Sequence, residues 1–92
     1  MTLLSRPREV RVLVRTHRQY LACLEAASGG TAQRLYTYYE KPVKRAIRDA
    51  EPACSPFFWL LSGRKRKLQA MSACNYLWDC ELLGLGREIR KL

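Results

Sequence analysis

Arg8, Arg11, Arg15 and Arg18 recur at intervals of three and four, and Arg34, Lys41, Lys44, Arg45 and Arg48 repeat the habit further along. On a helix of about 3.6 residues per turn, such intervals gather cations on one side. The chemistry they offer is recognition of something negative. Arg64-Lys65-Arg66-Lys67 adds one dense basic run, which reads as a solvated helix face, a contact to phosphate backbone, or a contact to an acidic protein. The net charge of +9 calls for an acidic partner: nucleic acid, an anionic membrane surface, or an acidic protein. RNA held by such a surface would be bound with little regard to sequence and with steep salt dependence. The tyrosines add little to that case. Tyr36 and Tyr39 fall on an apolar helix face, while Tyr38 lies nearer the basic side.

Residues that could catalyse a reaction are thin. His17 is the one histidine, and it falls among apolar residues of its helix. The eight acids are scattered, with Asp49 and Asp79 reading as surface charges, so no convergent acid–base set emerges and the chain reads as a non-enzyme. Cys23, Cys54, Cys74 and Cys80 form no C-x-x-C pair and no set of zinc-ligand spacing. They read as small buried hydrophobes in a reducing compartment.

The elements that must carry these groups are helical. Val10, Leu13, Val14, His17, Tyr20, Leu21 and Leu24 make one apolar stripe opposite the first arginines. This helix spans about 6–27, opened by Ser5 as cap with Arg6-Pro7 behind it and closed by Ser28-Gly29-Gly30. Thr31 caps a second helix over about 31–50, whose inner face is Tyr36, Tyr39, Val43, Ala46, Ile47 and Ala50. Pro42 inside it predicts a kink, or a split near Lys41. Ser55-Pro56 opens a third helix over about 56–83 with a stripe of Phe57, Leu61, Leu68, Met71, Trp78 and Leu82. Phe58, Trp59, Tyr76 and Leu77 lie off that stripe, which points to a docked partner. Gly84 and Gly86 end the helix, and a short basic tail follows.

Three amphipathic helices joined by short connections make an all-α, antiparallel three-helix bundle, one domain over 1–92. The longest apolar run, Phe57 to Leu61, is far too short to span a bilayer. Met1 to Leu21 carries five arginines and one acid on an amphipathic pattern that could pass for a mitochondrial presequence, but the preferred reading is the first structural helix, and an uncleaved internal signal would satisfy both.

The order of these features resembles the mitochondrial LYR-motif proteins. The first signature reads Leu13-Val14-Arg15, with valine where the family has tyrosine. The second reads Val43-Lys44-Arg45-Ala46-Ile47-Arg48, with isoleucine where the family has phenylalanine. The third reads Leu60-Leu61-Ser62-Gly63, followed by Leu68 and Met71, and the likeness covers about residues 8 to 80. Gln19 replaces a further arginine, and Pro42 is another departure.

The resemblance implies an adaptor of the mitochondrial matrix that binds the acyl carrier protein and docks it on a larger assembly. The assembly would be a respiratory complex, the iron–sulfur cysteine desulfurase or the mitochondrial ribosome. Arg15, Lys44 and Arg48 match the family's basic positions, and Arg11, Arg18, Lys41 and Arg45 join them as candidates by face. Leu13, Val14, Val43, Ile47, Leu68 and Met71 would line the path of an acyl chain carried on the partner's phosphopantetheine. The chain would bring no cofactor or metal of its own. An acyl chain of about twelve carbons, buried at ~0.8 kcal/mol per methylene, would reinforce a core this small. Trp59 and Leu77, with Arg64, Lys65, Arg66 and Lys67, are placed for a client or ribosomal RNA contact, and the basic run leans toward the ribosome. The other reading is a small basic ribosomal protein that binds RNA without a carrier.

Overall fold

The computed structural model describes residues 7–92, and every element among them is helical. The helices are α1 (Pro7–Ala26), α2 (Gly30–Ala50), α3 (Pro56–Leu61), α4 (Arg64–Leu82) and α5 (Leu85–Arg90), with a 3₁₀ turn at Glu51–Cys54. They form a rod 45 Å long and 19 Å by 18 Å across. The expected opening at Ser5 and Arg6 lies outside the described residues.

Helix α1 forms where the apolar stripe is regular. Val10, Leu13, Val14, His17, Leu21 and Leu24 are buried, and Tyr20 is half-buried at the edge of the same face. Gly29 ends the connection at φ 117°, a conformation that side-chain-bearing residues resist. Gly29 is also the N-cap of α2, with no side-chain bond, so Thr31 sits inside the first turn and does not cap. Helix α2 buries Val43, Ala46, Ile47 and Ala50 as the pattern requires. Pro42 does not divide it. The ring is exposed, and the carbonyl its missing N–H would have served belongs to exposed Tyr38, where water can take the donor's place.

The expected third helix is two helices. Ser55 caps α3, its Oγ accepting from the Phe57 N–H at 3.3 Å, but the helix stops after six residues. Ser62 and Gly63 are extended, and Gly63 becomes the N-cap of α4. This break resets the helical phase. Helix α4 turns Ala70, Ala73, Cys74, Leu77 and Cys80 inward, while Phe57, Leu61, Leu68 and Leu82 of the expected stripe are exposed and Met71 and Trp78 only half-buried. The inner face is mostly small side chains, which let α4 approach α1 and α2 closely, and all three pack on one another. Cys23 is exposed, Cys54 half-buried, and only Cys74 and Cys80 are the core hydrophobes expected of all four.

Gly84, at φ 92°, ends α4. The expected basic tail then turns back as α5, with Leu85 buried and Ile89 against the core. Gly86 does not end a helix; it lets α5 approach α1. A Cβ there would fall on the Tyr20 hydroxyl, which donates to Glu81 Oε1 at 2.8 Å. Gly86→Ala should therefore lower stability by about 1–3 kcal/mol in urea unfolding, and by less than half as much in a Tyr20→Ala background. Equal costs in the two backgrounds would show that Tyr20 is not what the glycine accommodates.

Candidate partner-binding surfaces

All seven cations expected to hold an acidic partner are exposed, on α1 and α2, but they do not share one patch. Arg11, Arg15 and Arg18 line a shallow concavity of about 250 Å³ with Val14, Glu51 and Cys54. Arg18 Nη2 lies 2.8 Å from Glu51 Oε2, and Arg11 reaches the Cys54 carbonyl at 3.5 Å. Both partners of the Arg18–Glu51 pair are more than half exposed, so the pair contributes at most about 1 kcal/mol and an incoming acid can displace Glu51.

On α2, Lys44 and Arg48 are four residues apart on one side, and Lys41 and Arg45 four apart on the next. Lys44 Nζ lies 3.6 Å from Glu40 and 5.9 Å from the Tyr36 ring centroid; Tyr36 first, and then Glu40, push its pKa upward. Arg45 belongs elsewhere. It lines the groove between α2 and α4 with Gln69 and Tyr76. Arg48 and Arg66, assigned from sequence to different partners, line one small concavity with Pro52 and Phe58.

The residues expected along an acyl path divide as well. Leu13, Val14, Val43 and Ile47 are buried in the core, Met71 is half-buried, and Leu68 is exposed and lines no interior. Phase explains Leu68: the break at Gly63 moves it off the inner face of α4. The open concavity beside Leu13 is a groove of about 610 Å³ between α1 and α4, walled by Arg8, Glu9, Val12, Leu13, Thr16, Trp78 and Glu81. Val12 went unmarked in the sequence, and Trp78 was expected in the inner stripe of the third helix, not on a groove wall. The available signal was that Arg8, Val12 and Thr16 recur every four residues beside the apolar stripe.

Of the two apolar residues placed at the client contact, Leu77 is corrected. Leu77 is fully buried at the centre of α4's inner face and meets no external partner. Trp59 is half-buried, its Nε1 donating to the Ala53 carbonyl at 3.1 Å and its ring edge-on to Phe58 at 5.3 Å. It fastens α3 to the body. Arg64, Lys65 and Arg66 are exposed, and Lys67 half-buried, in the first turn of α4, where there is no acid to offset them.

Beneath the α1–α4 groove lies the structure's one buried histidine. The His17 ring stands edge-on to Tyr20 at 5.4 Å, and Tyr20 in turn holds Glu81. Neither His17 nitrogen makes a hydrogen bond of ordinary geometry among the described residues. Burial, the largest influence, pulls the His17 pKa below its ordinary value, and Glu81 and the nearby Leu77 backbone pull it part of the way back. The cluster is a packed polar seam. Among the described residues no three His, Cys, Asp or Glu side chains are grouped to hold a metal.

The lowered pKa sets a direction for pH dependence. Above the unfolded value of 6.5 both states leave His17 neutral; below it the unfolded chain takes a proton that the folded one resists. Stability should therefore fall as the pH drops through about 6.5 toward the lower folded value. Urea unfolding at about pH 7.5 and 5.5 checks this, and His17→Leu should remove most of the difference. An unchanged slope in that variant would place the titration elsewhere.

Comparison with protein-family models, with curated proteins and with solved structures returned no match.

Proposed function

We propose that this chain is a non-catalytic adaptor of the mitochondrial matrix, a divergent relative of the LYR-motif proteins. In this reading α1, α2 and α4 form the antiparallel three-helix bundle of that family. The adaptor holds acylated acyl carrier protein and docks it on a larger assembly.

The observation that carries the reading is the placement of the two motif segments. Leu13 and Val14 are buried while Arg15 is exposed, and Val43 and Ile47 are buried while Lys44 and Arg48 are exposed. Each segment thus offers apolar side chains inward and a cation outward within one turn. An acidic helix of the carrier would lie along Arg11, Arg15, Arg18, Lys44 and Arg48, steered there by the net positive charge. The acyl chain would enter by the α1–α4 groove, past Val12, Leu13 and Trp78, and part those helices to reach the buried valines and Ile47. Each methylene buried contributes ~0.8 kcal/mol toward opening the packed interior.

One observation favours a second reading. Arg64, Lys65 and Arg66 project from the first turn of α4 with no acid in that turn, and a small ribosomal protein would place such a run on RNA. Coexpression with a mitochondrial acyl carrier protein separates the two. The adaptor reading expects a copurifying complex whose intact mass includes phosphopantetheine and an acyl chain. Charge reversal at Arg15, Lys44 and Arg48 together should release the carrier and leave helicity unchanged. A chain that purifies alone and binds RNA in a salt-sensitive manner sinks the adaptor and supports the alternative.

A further inference from the structure

Phe57, Leu60 and Leu61 lie at i, i+3 and i+4 on the two turns of α3, so they share one face. That face is turned outward, with relative exposures of 66%, 77% and 81%. Apolar side chains so open stand on a convexity, not in a groove. The face is also fixed in place. Phe58 is buried on the opposite side, and the Trp59–Ala53 hydrogen bond holds the helix to the 3₁₀ turn behind it. Three bulky side chains are thus held away from the core they would otherwise join.

Directly beyond Ser62 and Gly63 come Arg64, Lys65, Arg66 and Lys67. No acid occurs between Glu51 and Asp79, so this charge has no neighbour in sequence to neutralise it. Arg48 adds to it from α2, across a concavity it shares with Arg66, where Asp49, with Oδ1 3.9 Å from Arg48 Nε, supplies an acid. The location opposes the helix dipole, because the N-terminus of α4 already carries partial positive charge and cations belong at the other end. Phe58, whose ring centroid lies 5.9 Å from Arg66 Cζ, and Asp49 in the same concavity offset part of this charge, and a negative surface would offset the rest.

We propose that the α3–α4 corner docks on the surface of a bilayer containing anionic phospholipid. Phe57, Leu60 and Leu61 enter the boundary between headgroups and acyl chains, and Arg64 to Lys67 lie among the phosphates. The two halves of the corner select this occupant together. RNA would satisfy the cations and leave the leucines in water, and an acidic protein would need a matching pocket for a convex wedge. A charged bilayer surface accepts both. This interaction is peripheral, since no described helix is long and apolar enough to cross a membrane. It shares Arg48 with the carrier-binding reading and otherwise uses none of that reading's residues, so the Arg64, Lys65 and Arg66 substitutions test it separately.

Flotation of the full chain with vesicles tests it. Wild type should float with phosphatidylcholine–phosphatidylglycerol vesicles and stay behind with phosphatidylcholine alone. Leu60→Ser with Leu61→Ser should weaken partitioning about tenfold or more, as should Arg64→Gln with Lys65→Gln and Arg66→Gln. Because these side chains are exposed, circular dichroism and urea midpoints should stay at wild-type values. Phe57→Trp supplies a second readout: its fluorescence should shift to the blue and be quenched by brominated acyl chains on binding. The proposal is overturned if wild type ignores the anionic vesicles, or if the serine pair binds them as well as wild type does. It is overturned too if the chain binds an RNA oligonucleotide while leaving the vesicles untouched.

Discussion

The close approach of α4 to the other two long helices governs this structure. Ala70, Ala73, Cys74 and Cys80 leave room for neighbouring backbones, and Leu77 fills the centre. That approach depends on the extended pair Ser62-Gly63, which frees α4 from the rotation that α3 would have imposed. A continuous helix would have brought larger residues inward and held the helices apart. The small inner face has an outward consequence. Leu68, Leu82, Met71 and Trp78 are left at the rim or in solvent, and Trp78 becomes a wall of the α1–α4 groove.

A polar seam secures the far end of the same interface. His17, Tyr20 and Glu81 join α1 to α4, and Gly86 brings α5 against the Tyr20 hydroxyl. Such groups cost free energy to bury unless they are paired, and the Tyr20–Glu81 hydrogen bond offsets part of that cost. His17 meets it differently, by remaining neutral. The seam also fixes register, because a slide of α4 by one turn would separate Tyr20 from Glu81. In a domain of this size, with few large residues in its central face, directional contacts of this kind define one packing among several.

Seventeen cations on so slender a rod repel one another, and the acids relieve only part of that repulsion. Glu51 and Glu40 each hold one cation of the α1–α2 surface, by exposed and partly exposed pairs that exchange readily. Among the described residues the α4 run has no acid in its own turn, and Arg66 stands over the Phe58 ring at 5.9 Å. One cationic region is therefore partly neutralised by ion pairs within the chain, and the other has fewer acids near it.

The all-α class, the inner faces of α1 and α2, the Ser55 start and the positive character of the surface were legible from the residues alone. Those features follow from periodicity, capping and charge, which act within a few residues and need no knowledge of neighbours. The sequence left α4 ambiguous because large apolar residues ring that helix on every side, so residue size suggested one face and packing required another. Helix packing made Leu77 core and left Leu68 outside it, set Arg48 and Arg66 around one concavity while Arg45 lines the α2–α4 groove, and folded the basic tail back through Gly86. These outcomes depend on how closely helices distant in the chain can approach, and that distance is set by side chains from all of them at once.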